Sequence, residues 1–263
     1  MILYFNQPSL SLGPVSIHAF GTLIAIGILV SLLLIRRRAQ FLGLDLALSK
    51  RMVMWILVTG FIIAHIFDRI AYFPRETLND PLSLLKIWAG ISSFGGFIGA
   101  AIGAILFIWY SKMGSERWHY LDLIAYAFPI GWLFGRTGCF VAYDHPGIPT
   151  TFFLGQVYRD GVVRHNLGLE EALYTLLIAV LFLVLGYKKT RPAGFFIGLF
   201  SVVYAPVRFF LDYLRITDAR YFQHTPGQYG SILLLIFGLC VLWHSRCKVK
   251  LGIDTKSYHS KKK

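Results

Sequence analysis

Residues 128–147 read FPIGWLFGRTGCFVAYDHPG, an apolar run that ends in a group of polar side chains. Arg136, Cys139, Asp144 and His145 follow the run within ten positions. The whole chain is similarly apolar, since 56% of its 263 residues are hydrophobic and 15% are charged. In an ordinary soluble domain about a quarter of the residues are charged. The stretch therefore predicts a membrane-embedded segment with polar residues at one end.

Several other stretches are apolar over about twenty residues, the length that crosses the hydrocarbon core of a bilayer. We expect an all-α integral membrane protein with one membrane-embedded domain over residues 1–263 and a small extracytoplasmic hairpin region. The seven predicted transmembrane helices are about 15–35, 52–73, 91–110, 120–141, 170–187, 193–214 and 227–245.

Positive charge is distributed unevenly between the predicted loops. Loops on one side, together with residues 246–263, hold 17 of the 26 lysines and arginines, and loops on the opposite side hold seven. Cytoplasmic loops are the ones enriched in lysine and arginine. The bias predicts an N-terminus outside, a C-terminus in the cytoplasm and a basic cytoplasmic tail over residues 246–263. Because the excess charge follows the predicted topology, it does not indicate binding of nucleic acid.

The longest predicted outer connection is residues 142–169. Within it, residues 150–159 are expected to pair with Val162 and Val163 as a small hairpin. A loop of this length on a protein with seven spans is often functional. The outer face is therefore the expected functional face.

Two predicted spans carry charged residues near their outer ends. Arg136 lies in the fourth span, and Arg208, Asp212 and Arg215 in the sixth are spaced for one helix face. A charge at the centre of a span costs about 2.5–3.5 kcal/mol on insertion scales and usually marks function. Arg136 either extends to the headgroups or binds a ligand, and Arg208 either pairs with Asp212 alone or binds one. Their placement toward one face favours a shared anion such as a phospholipid phosphate.

Small residues in the third predicted span have two compatible interpretations. Gly95, Gly99 and Gly103 repeat every four residues, a spacing typical of close helix packing. Gly95 and Gly96 would also leave room for a lipid chain or headgroup. The three cysteines of the chain show neither paired spacing nor a metal-binding pattern, so no metal site is predicted.

The motif around Arg136 resembles the signature of the bacterial prolipoprotein diacylglyceryl transferase family. That signature reads G-R-x-G-N-F-x-N-x-E-x-x-G, and residues 135–147 read GRTGCFVAYDHPG. The resemblance covers most of the chain, because five further fragments are similar to the family in the same order. They are IHAFGTLIAIG (17–27), SSFGGFIGA (92–100), RHNLGLEEAL (164–173), RFFLD (208–212) and PGQYGS (226–231).

The resemblance implies an activity, its partners and a location. The family transfers the diacylglyceryl group of phosphatidylglycerol to the lipobox cysteine thiol of a prolipoprotein signal peptide and releases glycerol phosphate. It acts in the bacterial inner membrane, with the active site toward the outer face, and needs no metal or redox cofactor. Arg136 and Arg208 would stabilise the charge on the phosphate, and Asp144 and Asp212 would orient them or accept a proton. The other positions expected to bind substrate are Gly95, Gly96, Cys139, Arg215, Gln228 and His165.

The chain departs from the family at several polar positions. The tyrosine of the family's first span falls at Phe20, its histidine before Gly-Gly at Phe94, and its asparagine after Arg-x-Gly at Cys139. Its two glutamates are the shorter Asp144 and Asp212. The sign of the charge is kept at Asp144 and Asp212, whereas the hydrogen-bonding side chains at Phe20, Phe94 and Cys139 are changed.

Phe94 has no group that accepts a proton, so the base is open among Asp144, His145 and His165. A cysteine thiol has a pKa of about 8.5, and a nearby base raises its thiolate fraction. His145 adjoins the motif, and histidine titrates in the useful range. Cys139 is disfavoured as a nucleophile because no paired base is evident.

Two other classes of function compete with transfer. A catalytically impaired paralogue would bind anionic phospholipid or lipoprotein precursors without forming a thioether. A transporter would show internal repeats and broken helices, and a retinal receptor would carry a lysine in the last span. Residues 227–245 contain no lysine, and the sequence shows no repeat. The transferase is therefore the preferred function, with the impaired paralogue as its alternative.

Overall fold

The computed structural model describes residues 1–12, 15–86, 90–144, 146–216 and 218–250. His145 and residues 251–263 of the predicted basic tail lie outside the described residues. Helices dominate the described part of the chain, as predicted. They are α1 (Ala19–Leu42), α2 (Leu46–Phe67), α3 (Pro74–Asn79), α4 (Ser93–Tyr110), α5 (Arg117–Ala142), α6 (Leu167–Gly186), α7 (Phe195–Leu211) and α8 (Pro226–Lys250).

Among the described residues, six helical segments are long and apolar enough to cross a membrane, which confirms an all-α membrane protein. α5 has 26 residues but is not one of the six. Asp122 and Arg136 lie within it and lower its apolar character. The six segments are Ala19–Leu42, Leu46–Tyr72, Ser93–Tyr110, Leu167–Gly186, Phe195–Leu214 and Pro226–Cys247.

The turn between α1 and α2 follows from local sequence. Gly43 adopts the left-handed conformation, with φ of 65°, and ends α1. Asp45 then caps α2, because its side chain accepts hydrogen bonds from the amides of Ala47 at 2.7 Å and Leu48 at 3.2 Å. α2 therefore begins directly after this cap, several residues before the predicted span.

α4 packs against α2 through the glycine face. A Cβ atom on Gly95 would lie 2.6 Å from Cβ of Phe67, and one on Gly99 would lie 2.5 Å from the carbonyl oxygen of Thr59. Contacts this short leave no space for a larger residue, so the close packing of these helices requires glycine. Extensive contacts also join α1 with α5, α5 with α6, and α7 with α8.

A buried cluster of large side chains joins α5, α6 and α7. Inside a bilayer, van der Waals packing rather than transfer out of water holds such a cluster together. It fixes the relative positions of three helices whose ends carry the charged residues. Its members are Tyr126, Ile178, Phe182, Phe196, Phe200 and Tyr204.

Short strands lie at the helix ends. β1 (Ser9–Leu12) and β2 (Val15–His18) form an antiparallel pair before α1. β3 (Pro146–Pro149), β4 (Gln156–Val157) and β5 (Val163–Asn166) form a sheet in the order β3-β5-β4. Val157 pairs with Val163, within the predicted hairpin, and Ile2 pairs with Gln156 in parallel. The sheet therefore lies between the end of α5 and the start of α6.

The chain between α2 and α4 is bent. A π-helical turn over Asp68–Tyr72 extends α2, and a 3-10 turn over Pro81–Leu85 follows α3. Leu78, Leu82 and Leu85 are exposed there. Exposed leucines beside membrane-spanning helices are typical of a segment that lies in the membrane interface.

Candidate active site

Two arginines from different helices are buried near the ends of α5 and α7. Arg136 is 5% exposed and Arg208 is 1% exposed. Arg136 therefore does not extend out to the headgroups, which was one of its two predicted interpretations. A buried guanidinium needs an ionic or hydrogen-bonding partner, and both arginines have one.

Glu171, in the first turns of α6, joins the two arginines. Its Oε1 lies 3.0 Å from Nε of Arg136, and its Oε2 lies 3.9 Å from Nε of Arg208. The same carboxylate accepts hydrogen bonds from the hydroxyl of Tyr204 and from the indole of Trp132, the latter at 3.3 Å. Since Glu171 is only 2% exposed, this is a buried ion pair shared by two cations.

The charges continue from Arg208 toward the sheet. Arg208 forms an ion pair with Asp212, and Nε of Arg215 lies 3.0 Å from Oδ1 of the same aspartate. Arg215 then donates to Asp218 at 2.6 Å. Oppositely charged residues therefore alternate along one buried chain of ion pairs.

The backbone that positions these ion pairs differs from the continuous helix that the sequence predicts. α7 ends at Leu211, and a 3-10 turn covers Asp212–Leu214. Arg215 is extended, with φ of −75° and ψ of 138°. The predicted single helix face was wrong for Arg215, which reaches Asp212 because the tighter turn brings the next residues back over the helix end.

The start of α8 holds Asp212 in place. Thr225 donates its hydroxyl proton to Asp212, and its backbone amide donates to Oε1 of Gln228 at 3.0 Å. The amide of Gln228 returns a hydrogen bond to the Thr225 hydroxyl at 3.1 Å, which makes a reciprocal capping box. Gln228 also donates to the carbonyl of Phe209 at 3.3 Å. Gln228 thus acts on the arginines through Thr225 and Asp212.

Arg208 has hydrogen-bonding capacity that the protein does not use. Its Nη1 donates to Asp212, but its Nε and Nη2 have no hydrogen-bond partner within the described ranges. A buried donor without an acceptor costs about 1–3 kcal/mol or more when it is charged. Such donors point to an acceptor supplied by a ligand.

Aromatic rings cover both guanidinium groups. Cζ of Arg136 lies 4.6 Å from the centre of the Trp132 ring, and Cζ of Arg208 lies 5.7 Å from that of Phe94. Phe94 is 3% exposed. These cation–π contacts shield the charges from solvent, so their interaction with an anion is strengthened.

The end of α5 brings Cys139 and Asp144 next to Arg136. The Cys139 sulfur lies 3.9 Å from Nη1 of Arg136, and the Asp144 amide donates to the carbonyl of Cys139 at 3.0 Å. Tyr143 ends the helix in the left-handed conformation, with φ of 56°. Asp144 is exposed, so it lies at the entrance rather than inside the buried chain.

His165 lies on β5 and has a carboxylate partner. Its Nδ1 is 2.6 Å from Oε1 of Glu170. Cβ of His165 also packs against Gly147, which forms a β-bridge with Arg215. His165 is therefore separated from the end of the ion-pair chain by one residue of β3.

The glycines expected to bind substrate have different surroundings. Gly95 is covered by Phe67 and Ala64 of α2. Gly96 is half-buried, and its nearest neighbour for an added Cβ is Ala64 at 3.9 Å. An added side chain would therefore have more space at Gly96 than at Gly95.

Sequence reasoning missed three residues of this centre. Glu171 lies at the first turn of a predicted span, where a carboxylate beside the helix N-terminus needs no special explanation. The cost of placing charge in a membrane would nevertheless have identified it. Tyr204 resembled a core aromatic residue, and Asp218 lies in a loop whose path only the tertiary structure defines.

Comparison with known proteins agrees with this arrangement. A family profile described as prolipoprotein diacylglyceryl transferase matches residues 7–244, which is most of the chain. The chain belongs to the prolipoprotein diacylglyceryl transferase family. The family predicted from the motif around Arg136 is therefore confirmed.

Similar proteins in this family come from diverse bacteria, and each is named phosphatidylglycerol–prolipoprotein diacylglyceryl transferase. The protein of Solidesulfovibrio magneticus is 34% identical over 256 residues, which cover 90% of this chain and 94% of its own length. That of Phenylobacterium zucineum is 33% identical, with 73% of each chain covered. That of Halalkalibacterium halodurans is 26% identical, with 98% of this chain and 91% of its own length covered.

Phe20, Phe94 and Cys139, the positions at which the sequence predicts a lost hydrogen-bonding side chain, lie against the motif or the two arginines. A Cβ on Gly138 of the motif would lie 2.8 Å from Cδ2 of Phe20. Phe94 covers Arg208, and Cys139 lies against Arg136. The surroundings of Arg136 and Arg208 therefore include the sulfur of Cys139 and the ring of Phe94.

Proposed function

We propose that this protein transfers the diacylglyceryl group of phosphatidylglycerol to a cysteine thiol of a lipoprotein precursor, the first step of lipoprotein maturation. Family membership supports the reaction, and the relatives are named for both substrates. The observation that carries the proposal is the pair of buried arginines, Arg136 and Arg208, linked by Glu171. Nη2 of Arg208 has neither a hydrogen-bond partner nor an ion-pair partner among the described residues, so it remains available to a phosphate.

The proposal includes a topology of seven crossings in the bacterial inner membrane. α5 is counted as the crossing that carries Arg136, because its neighbours α1 and α6 are themselves apolar enough to span. The distribution of lysine and arginine supports an outside N-terminus and a cytoplasmic tail over residues 246–263. The site then faces the outer leaflet.

The proposed reaction is a substitution at carbon. A base takes the proton of the substrate thiol, and the thiolate sulfur attacks the glyceryl carbon that carries the phosphate ester. The carbon–sulfur bond forms as the carbon–oxygen bond breaks, and glycerol phosphate leaves with the bonding electrons. Negative charge therefore grows on the phosphate in the transition state, where fixed guanidinium groups stabilise it.

Roles are assigned from the contacts described above. Arg136 and Arg208 bind the phosphate, and Asp212, Arg215 and Gln228 hold Arg208 in position. A guanidinium held by a carboxylate on one edge offers its other edge to the ligand without reorganisation. Gly95 sets the close approach of α4 to α2, and Gly96 and Cys139 are assigned to the glyceryl group.

The base is proposed among Asp144, His145 and His165. Asp144 lies near the end of the motif and is exposed at the entrance. His165 has a geometric argument, because Nδ1–H donated to Glu170 leaves the Nε2 lone pair free to accept a proton. A carboxylate that orients a histidine in this way is a common arrangement for general bases.

Complementation tests the proposal. A bacterial strain depleted of its own transferase should grow when it expresses this protein, and mass spectrometry of a reporter lipoprotein should detect a diacylglyceryl group on the cysteine. Arg208→Ala is the inactive control. If the purified protein binds phosphatidylglycerol but no thioether forms, the alternative of an impaired paralogue replaces this proposal.

A further inference from the structure

A tight turn with a strained backbone lies between Arg215 and the start of α8. Tyr221 and His224 form a β-bridge, and their backbones exchange hydrogen bonds of 2.8 and 3.0 Å. The two residues between them, Phe222 and Gln223, both have positive φ, of 48° and 68°. A two-residue turn of this kind, type I′, favours asparagine and glycine at these positions. We call residues 221–224 the aromatic turn.

The aromatic turn displays an apolar side chain to its surroundings. Phe222 is 95% exposed, more than any other large apolar residue in the described ranges. A bulky residue with positive φ is a genuine outlier, and such strain is concentrated at functional sites. Contacts within the protein do not account for a phenylalanine here, because its ring is almost fully exposed. The partner of this ring therefore lies outside the protein.

Hydrogen bonds from side chains hold the aromatic turn in place. The hydroxyl of Tyr229, in the first turn of α8, donates to the carbonyl of Tyr221 at 2.8 Å. The hydroxyl of Tyr221 donates to the carbonyl of Ala71 at 2.9 Å, and Nδ1 of His224 donates to the carbonyl of Phe222 at 3.0 Å. Ala71 lies at the end of the second membrane-spanning segment. The turn is therefore fixed to the ends of two such segments.

These attachments place the aromatic turn at the depth where the apolar segments end. Aromatic residues are enriched at this depth in membrane proteins, because the hydrocarbon meets the headgroups there. The neighbouring end of α7 and start of α8 expose further aromatic side chains, namely Phe210, Tyr213 and Tyr229. Since phospholipid surrounds a membrane protein at this depth, the partner that fits Phe222 is the lipid surface itself.

Two connections join the aromatic turn to the buried ion pairs. Nη2 of Arg220 donates to the carbonyl of Arg215 at 3.2 Å, and its Nη1 donates to the carbonyl of Gln223 at 3.4 Å. Thr225, the next residue after the turn, donates its hydroxyl proton to Asp212. A change in the depth of the turn is therefore transmitted to Asp212 and Arg215.

We propose that Phe222 enters the leaflet that faces the active site, and that the aromatic turn thereby holds the buried ion pairs at the depth of the phospholipid headgroups. The ring leaves water for the boundary between headgroups and acyl chains, which is favourable for an apolar side chain. The phosphate of a lipid in the same leaflet then lies level with Arg208. The inference goes beyond the proposed function, since contact of the turn with the bilayer does not depend on formation of a thioether.

Spin-label accessibility measures the depth of Phe222 directly, with the full chain in vesicles of phosphatidylethanolamine and phosphatidylglycerol. Cys240 and Cys247 are exposed and are first replaced by serine, whereas Cys139 is buried and stays. A nitroxide is then attached to Phe222→Cys. Its relaxation by oxygen, which concentrates in lipid, is compared with its relaxation by a water-soluble nickel chelate.

Two further labels provide the references for depth. Leu177→Cys lies in the middle of α6, where the side chain is 67% exposed, and reports lipid. Arg159→Cys lies in the exposed turn between β4 and β5 and reports water. The label at Phe222 should resemble the lipid reference more closely than the water reference. A label that matches Arg159→Cys would overturn the proposal. A label shielded from the chelate only after a lipobox peptide is added would also overturn it, because the partner would then be the peptide.

Substitutions in the turn separate lipid contact from stability. Phe222→Asn combined with Gln223→Gly introduces the residues that a type I′ turn favours, so the melting temperature should rise. The same change removes the apolar ring, so transfer in vesicles should fall roughly tenfold, which corresponds to about 1.4 kcal/mol. Phe222→Leu keeps an apolar side chain and should retain most of the transfer. Trp109→Ser removes a ring that is 78% exposed at the far end of α4, and should leave transfer unchanged.

The two measurements also distinguish this inference from the proposed function. A combined Phe222→Asn and Gln223→Gly variant that is more stable and fully active would overturn the role given to Phe222. A wild-type protein whose label at Phe222 matches the lipid reference, but which forms no thioether, contradicts the proposed function and supports the contact of the turn with lipid.

Discussion

Arg136 and Glu171 form a buried ion pair, with 3.0 Å between Nε and Oε1, that connects the motif of α5 to the first turns of α6. The same carboxylate reaches Arg208 on α7 at 3.9 Å. Three helices are thus joined at one carboxylate, and the two guanidinium groups are held at a fixed separation. A phosphate bound between them needs no rearrangement of the helices, which is the condition for efficient electrostatic stabilisation.

Glu171→Gln should destabilise the protein and abolish transfer. The amide keeps the shape of the side chain but leaves two buried guanidinium groups without their shared counter-ion. Removing one partner from a buried ion pair costs about 3–5 kcal/mol. The free energy of unfolding in mixed micelles measures this loss directly. Glu76→Gln replaces an exposed glutamate of α3 and should change the free energy little. Equal stability of the two variants would contradict the role given to Glu171.

The sequence predicted the two arginines better than their partners, for a physical reason. Arg136 and Arg208 stand out because each interrupts an apolar segment, where charge is costly. Tyr204 donates to Glu171, yet a tyrosine in an apolar helix is also an ordinary core residue. Its role depends on the rotation of α7 against α6, which no local pattern encodes.

In the sheet, too, pairing between segments close in the sequence was predicted and pairing between distant segments was not. Residues 150–163 predict a hairpin because the two segments that pair are close in sequence, and Val157 pairs with Val163. The pairing of Ile2 with Gln156 joins segments far apart in the chain. Nothing in the N-terminal sequence specifies that partner, so this bridge was not predicted.

Arg208→Lys should fail to restore transfer. Lysine keeps the charge but places it at a single nitrogen, whereas Arg208 donates to Asp212 with Nη1, faces Glu171 with Nε and keeps Nη2 for the phosphate. We expect the rate of transfer to fall roughly a hundredfold to a thousandfold, similar to the loss of one transition-state donor. The rate is measured from thioether formation on a synthetic lipobox peptide in phosphatidylglycerol micelles.

Arg75→Lys is the matched control for this substitution, because Arg75 is exposed on α3. It should keep wild-type activity. A fully active Arg208→Lys would show that the bidentate geometry is not required, and a fully active Arg208→Ala would remove the residue from the mechanism.

Gly230→Ala and Phe94→Ala should interact strongly in a double-mutant cycle. A Cβ on Gly230 would lie 2.2 Å from Cδ1 of Phe94, so the methyl group cannot be accommodated beside the ring. Phe94→Ala alone leaves a cavity and should cost about 3–5 kcal/mol of unfolding free energy. In the double variant the new methyl group enters the space of the ring, so the combined loss should be smaller than the sum of the single losses.

The control for this cycle is Gly21→Ala on α1, since nothing lies within 4 Å of a Cβ at that position. It should be neutral or slightly stabilising, because alanine favours a helix over glycine by about 1 kcal/mol. Its effect should simply add to that of Phe94→Ala. Additive losses for Gly230→Ala and Phe94→Ala would contradict the close contact of α8 with Phe94.

Gly168→Ala should impair transfer, whereas Gly135→Ala should not. A Cβ on Gly168 would lie 2.5 Å from the amide nitrogen of Phe140 and 2.8 Å from the carbonyl carbon of Cys139. Backbone atoms cannot rotate away, so α6 would have to move from α5 and stretch the Arg136–Glu171 ion pair. Gly135 lies in the motif itself, but nothing lies within 4 Å of its Cβ position. The measurement is transfer rate at a temperature where both variants remain folded. Equal rates for the two variants would show that the spacing of α5 and α6 does not control the site.

His165→Gln should separate binding from turnover if His165 is the base. The variant keeps the arginines and should bind phosphatidylglycerol as the wild type does. Its transfer rate should fall at neutral pH, because the thiol no longer has a neighbour that accepts its proton. The rate should then recover as the pH approaches the thiol's own pKa of about 8.5, where thiolate forms without help. The pH profile of transfer between 6 and 9 is the measurement, and a purely structural role would lower the rate equally across it.

Glu170→Gln provides an independent check of the same assignment. Glu170 accepts the hydrogen bond from Nδ1 of His165 at 2.6 Å, and this bond selects the tautomer whose Nε2 accepts a proton. Glu170→Gln should lower the transfer rate at neutral pH and restore it at higher pH, as His165→Gln does, but to a smaller extent. The reason is that the new amide still holds the imidazole ring of His165 but no longer stabilises the charged form of that ring. His145→Gln is tested by the same measurement, the pH profile of the transfer rate. If none of the three variants changes the profile, Asp144 or attack by the spontaneously formed thiolate carries the step, because Asp144 is then the remaining candidate base.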